Sequence, residues 1–173
     1  MEARIAWLCY GTIAYAFFPL LFRVRFGRWP FVYRRRLDAY TLIDFLYAGV
    51  LAAFTVALLA PPEPKPISLT LGFALFSAGC AWGFWAVLSM RECWRFGQRV
   101  DDPNVCYVTR GPFRIMRHPI YVSLVVISLG EGMLMGIDWR FVMLSTSTVV
   151  FSIRQSAAES RHWNARRVKE FDH

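Results

Sequence analysis

At 173 residues the chain is about one domain long. Hydrophobic residues make up 56% and aromatics 17%, and the mean hydropathy of +0.35 is too high for an ordinary water-soluble domain. A net charge of +8 would suit nucleic acid in a soluble protein; in so apolar a chain it points away from that partner and toward basic loops beside a membrane.

Five runs are apolar enough to cross a bilayer, which takes roughly 20 residues per helix. They fall at about 5–22, 40–60, 67–90, 119–137 and 139–153. The expected fold is therefore all-α: one membrane-embedded domain over residues 1–173, a bundle of about five transmembrane helices. After the first run come Arg23, Arg25, Arg28, Arg34, Arg35 and Arg36. After the third come Arg91, Arg95, Arg99, Arg110, Arg114 and Arg117, and after the fifth Arg154, Arg161, Arg166, Arg167 and Lys169. Five spans put all of these on one side and leave only Arg4, Lys65 and Arg140 on the other. By the positive-inside rule the crowded side is the cytoplasm, so the C-terminus is expected there. The expected home is a bacterial inner membrane, with the endoplasmic reticulum as the alternative. The N-terminus lacks the pattern of a removable signal peptide, and the C-terminal residues carry no prenylation signal.

Between the second and third runs, Pro61-Pro62-Glu63-Pro64-Lys65-Pro66 is expected to form a stiff connector. Asp138-Trp139 makes a tight turn, so the fourth and fifth runs should form a helical hairpin. Gly79 and Gly83 in the third run, and Ser128, Gly132 and Gly136 in the fourth, recur at the four-residue spacing that lets membrane helices approach closely. Several of the seven tryptophans sit near run ends, where interfacial anchoring is the plain expectation. Cys9, Cys80, Cys93 and Cys106 lack metal-ligand or CxxC spacing, so neither a metal site nor a disulfide framework is expected. Asp44 and Glu131 lie inside apolar runs. Asp44, near the inner interface, is expected to pair with one of Arg34, Arg35 and Arg36; Glu131 is expected to be a buried hydrogen-bonding or protonated structural group.

Chemistry concentrates where a basic loop meets the fourth run, at Arg110-Gly111-Pro112-Phe113-Arg114 and Arg117-His118-Pro119-Ile120-Tyr121. Gly-Pro signals a turn, and Pro119 suits the first position of a helix. The free N–H groups and dipole at such a helix mouth favour an anion. Two segments, about 91–118 and 154–173, face the same side and can fold over the inner helix ends. The second has a helical composition around Glu159, His162, Trp163, Arg166 and Arg167.

The GPxR and RHPxY blocks, Gly111 to Arg114 and Arg117 to Tyr121, resemble the signature of the isoprenylcysteine carboxyl methyltransferase and phospholipid methyltransferase superfamily. The resemblance runs over about 77–171. It implies a small integral-membrane enzyme that uses S-adenosylmethionine, O-methylation of the isoprenylcysteine carboxyl type foremost, with a cytoplasmic C-terminal helix opened by an acidic pair. Here that pair is Ala158-Glu159, so one carboxylate is replaced, and Val168 and Phe171 stand in place of two tyrosines. The resemblance assigns the cofactor site to Arg117, His118, Tyr121 and Glu159. Arg117 and His118 suit a carboxylate and Glu159 an ammonium. Tyr121 and Trp163 suit an adenine face or a sulfonium. Arg114 and Arg154 are weaker candidates for orienting the acceptor. No side chain stands out as a general base, and methyl transfer needs no metal. The expected partners are membrane lipids and a lipophilic or lipidated acceptor. Two other readings remain: an NADPH-dependent membrane reductase of the sterol reductase kind, whose pattern Ile120 and Val122 do not match, and a non-catalytic membrane scaffold, which the replacement at Ala158 favours.

Overall fold

The computed structural model describes residues 2–31, 39–59, 66–95 and 108–171. The fold is all-α, as expected. Its elements are α1 (Glu2–Thr12), a π-helical turn (Ile13–Phe17), α2 (Phe18–Phe26), α3 (Ala39–Leu59), α4 (Leu69–Met90), α5 (Pro119–Met135) and α6 (Trp139–Phe171). Short 3-10 turns stand at Arg91–Cys93 and Gly111–Arg114.

The π turn has a local cause. Pro19 has no N–H, and its ring crowds the carbonyl four residues earlier. The helix widens just ahead of it, over Ile13–Phe17, instead of breaking. Thus α1 and α2 form one apolar rod, Arg4–Phe26, long enough to cross a membrane; Leu69–Cys93 is the second such segment. Asp44–Leu58 and Pro119–Met135 are shorter apolar helices. Leu20 and Val24 on α2, and Leu71, Phe73 and Leu88 on α4, stay exposed, as on faces turned to lipid.

The tightest packing joins α4 to α5. A Cβ built on Gly130 would lie 2.5 Å from the Phe76 backbone nitrogen and 2.8 Å from its Cα, so only glycine permits this approach. Gly79 and Gly83 of α4 meet Ile127 and Ser123 of α5 in the same seam, whereas Gly132 faces the Phe141 ring of α6. At the other end of the bundle, the Ile67 N–H donates to the Met133 carbonyl at 2.9 Å. A core of Trp7, Phe54, Phe76, Ile127, Leu134 and Leu144 then joins α1 and α3 to this pair and to α6.

Helix α5 stops at Met135, two residues before the expected end, because Gly136 takes φ 90°. The expected hairpin follows. Asp138 accepts the Phe141 N–H at 3.1 Å and pairs with Arg140 at 2.6 Å, capping α6. Arg140 also reaches across to the Ala57 carbonyl of α3 at 3.0 Å.

Three expectations are corrected. The fifth apolar run and the C-terminal segment are not separate pieces: α6 runs unbroken for 33 residues. At 1.5 Å per residue it is about 50 Å long, more than the roughly 30 Å hydrocarbon core of a bilayer. Trp7 and Trp94 are not interfacial anchors but buried, Trp7 donating to Thr55 Oγ1 at 2.9 Å and Trp94 packing under Phe18 and Phe22. Cys93 is disulfide-bonded, where no disulfide framework was expected. The connector at 61–65 and Arg34, Arg35 and Arg36 also lie outside them.

Candidate active site

The Gly-Pro turn places the site. Gly111 takes φ 59°, a conformation that disfavours other residues, and lies so close to Ser89 of α4 that no side chain fits. Pro112 is buried, and Arg110 Nε donates to the Ser89 carbonyl at 2.6 Å. The turn is thus docked on the end of α4, and the chain leaves it toward His118 and Pro119, the cap and first residue of α5.

His118 does not cap its own helix with its side chain. Instead the imidazole spans to α6: Nδ1 is 3.0 Å from Glu159 Oε2, and Nε2 is 3.0 Å from Ser160 Oγ. Tyr121, one turn into α5, donates its hydroxyl to Glu159 Oε1 at 2.6 Å. An ionised carboxylate only accepts, so Nδ1 carries the proton facing Glu159. Nε2 then accepts from Ser160 when the ring is neutral and donates when it is charged. Both carboxylate oxygens are engaged. The His118 and Glu159 side chains are 20% and 32% exposed, so the cluster is reachable from solvent.

Below the cluster lies an aromatic layer. Phe151 of α6 stands edge-on to Tyr121, centroids 6.2 Å apart, and stacks on Tyr47 of α3 at 4.0 Å. The Tyr47 hydroxyl is 3.2 Å from Thr148 Oγ1. A cavity with room for about one water continues inward among Trp7, Tyr10, Tyr47, Ser128 and Thr148.

His118, Tyr121 and Glu159, proposed from sequence, converge on one point. Arg117, Arg114 and Arg154 do not join them: all three are exposed, with no hydrogen bond to the cluster among the described residues. The side chains of His162, Trp163, Arg166 and Arg167 lie outside the described residues. Sequence reasoning missed Ser160, Phe151 and Gln155. The signal was available, because residues 151, 155 and 159 recur every fourth position and so share one face of a helix. Asp44 accepts a hydrogen bond from the Gln155 amide nitrogen. Glu131 is fully buried, as expected, and neither carboxylate oxygen has a hydrogen-bond partner among the described residues, so of its two expected roles the hydrogen-bonding one is not found.

An apolar helical bundle that closes a His–Tyr–Glu cluster over the end of a docked turn has the makings of a membrane-bound group-transfer enzyme. The family described as phospholipid methyltransferase matches residues 67–166, more than half of the chain, and the protein belongs to that family. The matched stretch includes α4, α5, His118, Tyr121 and Glu159 and leaves out α1, α2 and α3. With two helices long enough to cross a bilayer, it is a membrane methyltransferase of the phospholipid and isoprenylcysteine type. No curated protein and no solved structure matches the chain.

Proposed function

We propose that the protein is an S-adenosylmethionine-dependent methyltransferase acting on a lipophilic acceptor at the cytoplasmic membrane interface. In this reading the chain crosses the membrane five times and its C-terminus is cytoplasmic, where the three arginine clusters fall together. The observation that carries the reading is the Glu159 carboxylate, held by His118 and Tyr121 at the mouth of α5.

The residues suit the donor. Glu159 is a partly exposed carboxylate, of the charge that suits an ammonium. The His118 and Tyr121 rings, 5.9 Å apart between centroids, give a flat aromatic edge beside it for a purine or a sulfonium. Arg117 lies next to His118 in sequence and Arg154 five residues before Glu159, both exposed and available to a carboxylate. When bound, S-adenosylmethionine supplies an electrophilic methyl group. The chain's share of the work is to align an acceptor with that methyl and exclude water. The docked Gly111–Arg114 turn fixes the height of His118, and the Tyr47–Phe151–Tyr121 layer separates the polar cluster from the bundle interior. No group is needed as a base if the acceptor reaches the site with a free lone pair.

Isothermal titration of S-adenosylmethionine into purified protein tests the reading, with NADPH as the control titrant. Saturable binding of the methyl donor that weakens in His118→Ala and Glu159→Gln is the expected result. Binding of NADPH alone would overturn it in favour of a reductase, and binding of neither in favour of a scaffold.

A further inference from the structure

The C-terminal end of α2 gathers positive charge that the site does not use. Gly27 takes φ 71° and ends the helix, its N–H donating to the Arg23 carbonyl at 2.8 Å. Glycine adopts that conformation without strain, so the chain turns back there and lays the next residues against the helix end. The Trp29 ring lies under Arg23, 4.5 Å from its guanidinium carbon, and Arg28 lies over Phe22 at 5.7 Å. Arg25 stands 5.8 Å from the Phe26 ring. All three arginines are exposed, and among the described residues none has an acidic partner. Arg28 donates to the main-chain carbonyl of Glu92 at 2.7 Å, leaving the Glu92 carboxylate unengaged; the Arg23 and Arg25 side chains make no hydrogen bond among the described residues.

We propose that this end of α2 binds the phosphate of an anionic phospholipid that is not the methyl acceptor. A guanidinium lying against a ring is held in one plane and keeps its N–H edges outward, ready for paired bonds to phosphate oxygens. The rings hold these side chains as an acidic partner would, but without neutralising them. The surroundings favour a lipid over a free ion. Leu20, Leu21 and Val24 are exposed on the apolar rod beside Arg23, so acyl chains can lie along α2 while the headgroup meets the arginines. Trp29, exposed as well, has the amphipathic ring of a residue at headgroup level. The charge selects among lipids: a zwitterionic headgroup carries its own cation beside the phosphate, whereas an anionic one brings only the charge that three unneutralised arginines attract. Residues 23–28 lie outside the stretch matched by the family, so the site is a feature of the present chain. Its occupant would also brace the frame of the active site. Arg28 clips α2 to the turn that follows α4, and Ser89 at the same end of α4 holds Arg110 of the docked Gly-Pro turn.

The test uses the full chain, stripped of lipid in detergent. Native mass spectrometry follows retention of phosphatidylglycerol against phosphatidylcholine of the same acyl chains, with inorganic phosphate as the soluble arm. Retention of one phosphatidylglycerol per chain in preference to phosphatidylcholine, without retention of inorganic phosphate, supports the site. Each basic side chain at a membrane surface has an effect that converts to about five-fold in affinity, so Arg23→Gln and Arg25→Gln should each weaken phosphatidylglycerol binding by about that much. Neither side chain is hydrogen-bonded, so both variants remain informative even where Arg28→Gln loosens the contact with Glu92. The double variant Arg23→Lys, Arg25→Lys separates a shaped site from bulk charge. It keeps both cations but loses the planar forks, so its affinity should fall between those of wild type and the double glutamine variant. Equal retention of the two lipids, retention of inorganic phosphate, unchanged binding in the double glutamine variant, or wild-type binding in the double lysine variant would overturn the inference. Titrating S-adenosylmethionine into the same preparations keeps this inference apart from the methyltransferase reading. Donor affinity should match wild type in every variant; loss of it would place these arginines in the donor site and overturn the proposal. A wild type that fails to bind the donor would count against the methyltransferase reading alone.

Discussion

Replacing Glu159 by glutamine removes a charge while keeping the size of the side chain and one carbonyl oxygen. In the free protein the carboxylate accepts from Tyr121 at 2.6 Å and faces His118 Nδ1 at 3.0 Å. The amide oxygen can keep the tyrosine bond, and its nitrogen then faces His118, whose ring can present Nδ1 as an acceptor in its other neutral tautomer. Because the pair is partly exposed, water also screens and replaces what is lost. The folding cost should therefore be small, below about 1 kcal/mol. Donor binding should suffer more. A hydrogen bond between ammonium and carboxylate is worth about 1.5–3 kcal/mol, which converts to roughly 10- to 150-fold in Kd. Titration calorimetry with S-adenosylmethionine, paired with thermal unfolding in the same detergent, measures both quantities. A Glu159→Gln protein that unfolds near the wild-type temperature and binds the donor as tightly as wild type would refute the assignment of Glu159 to the ammonium.

Other perturbations test the frame around the site. Gly130→Ala should destabilise the bundle by about 1–3 kcal/mol, because the added methyl meets the α4 backbone rather than a movable side chain; reversible denaturation in mixed micelles reads it. Arg140→Ala should cost about 3 kcal/mol by the same measurement, since it strands Asp138 and frees the Ala57 carbonyl. Glu131→Met should instead raise the unfolding midpoint, by the equivalent of about 1–3 kcal/mol, because it removes two buried oxygens that have no partners. Donor affinity in that variant should match wild type, Glu131 being three turns from Pro119 along α5.

The parts of this fold legible in the sequence are those governed by local rules. Apolar runs of bilayer length mark the helices, Pro119 marks the start of α5, and Asp138 marks the cap of α6. The convergence of His118, Tyr121 and Glu159 was open to inference because a short hairpin must bring the mouth of α5 beside the later turns of α6. What escaped depends on contacts between distant segments. Nothing local tells that Trp94 will be buried under Phe18 and Phe22, or that Asp44 will meet Gln155. Composition also misleads where it changes along one element. The drop in hydropathy after Ile153 reads as the end of a span and the start of a separate segment, yet hydrogen bonding along the backbone is indifferent to whether side chains face lipid or water.

That indifference has a consequence for the site. Because α6 is continuous, the apolar half that packs Leu144 and Thr148 into the bundle and the polar half that carries Gln155, Glu159 and Ser160 share a single rotation about one axis. A helix rotates about 100° per residue, so inserting one alanine after Phe151 would swing Gln155 and Glu159 together off the face that meets Asp44 and His118. Inserting a full turn of four residues would return them to that face but lift them about 6 Å along the axis. Both insertions should abolish donor binding while leaving α1, α2, α3 and α4 packed. Intact donor affinity after the single-residue insertion would show that the segment after Phe151 finds its partners independently of the membrane-facing half, and that the two are not coupled through one helix.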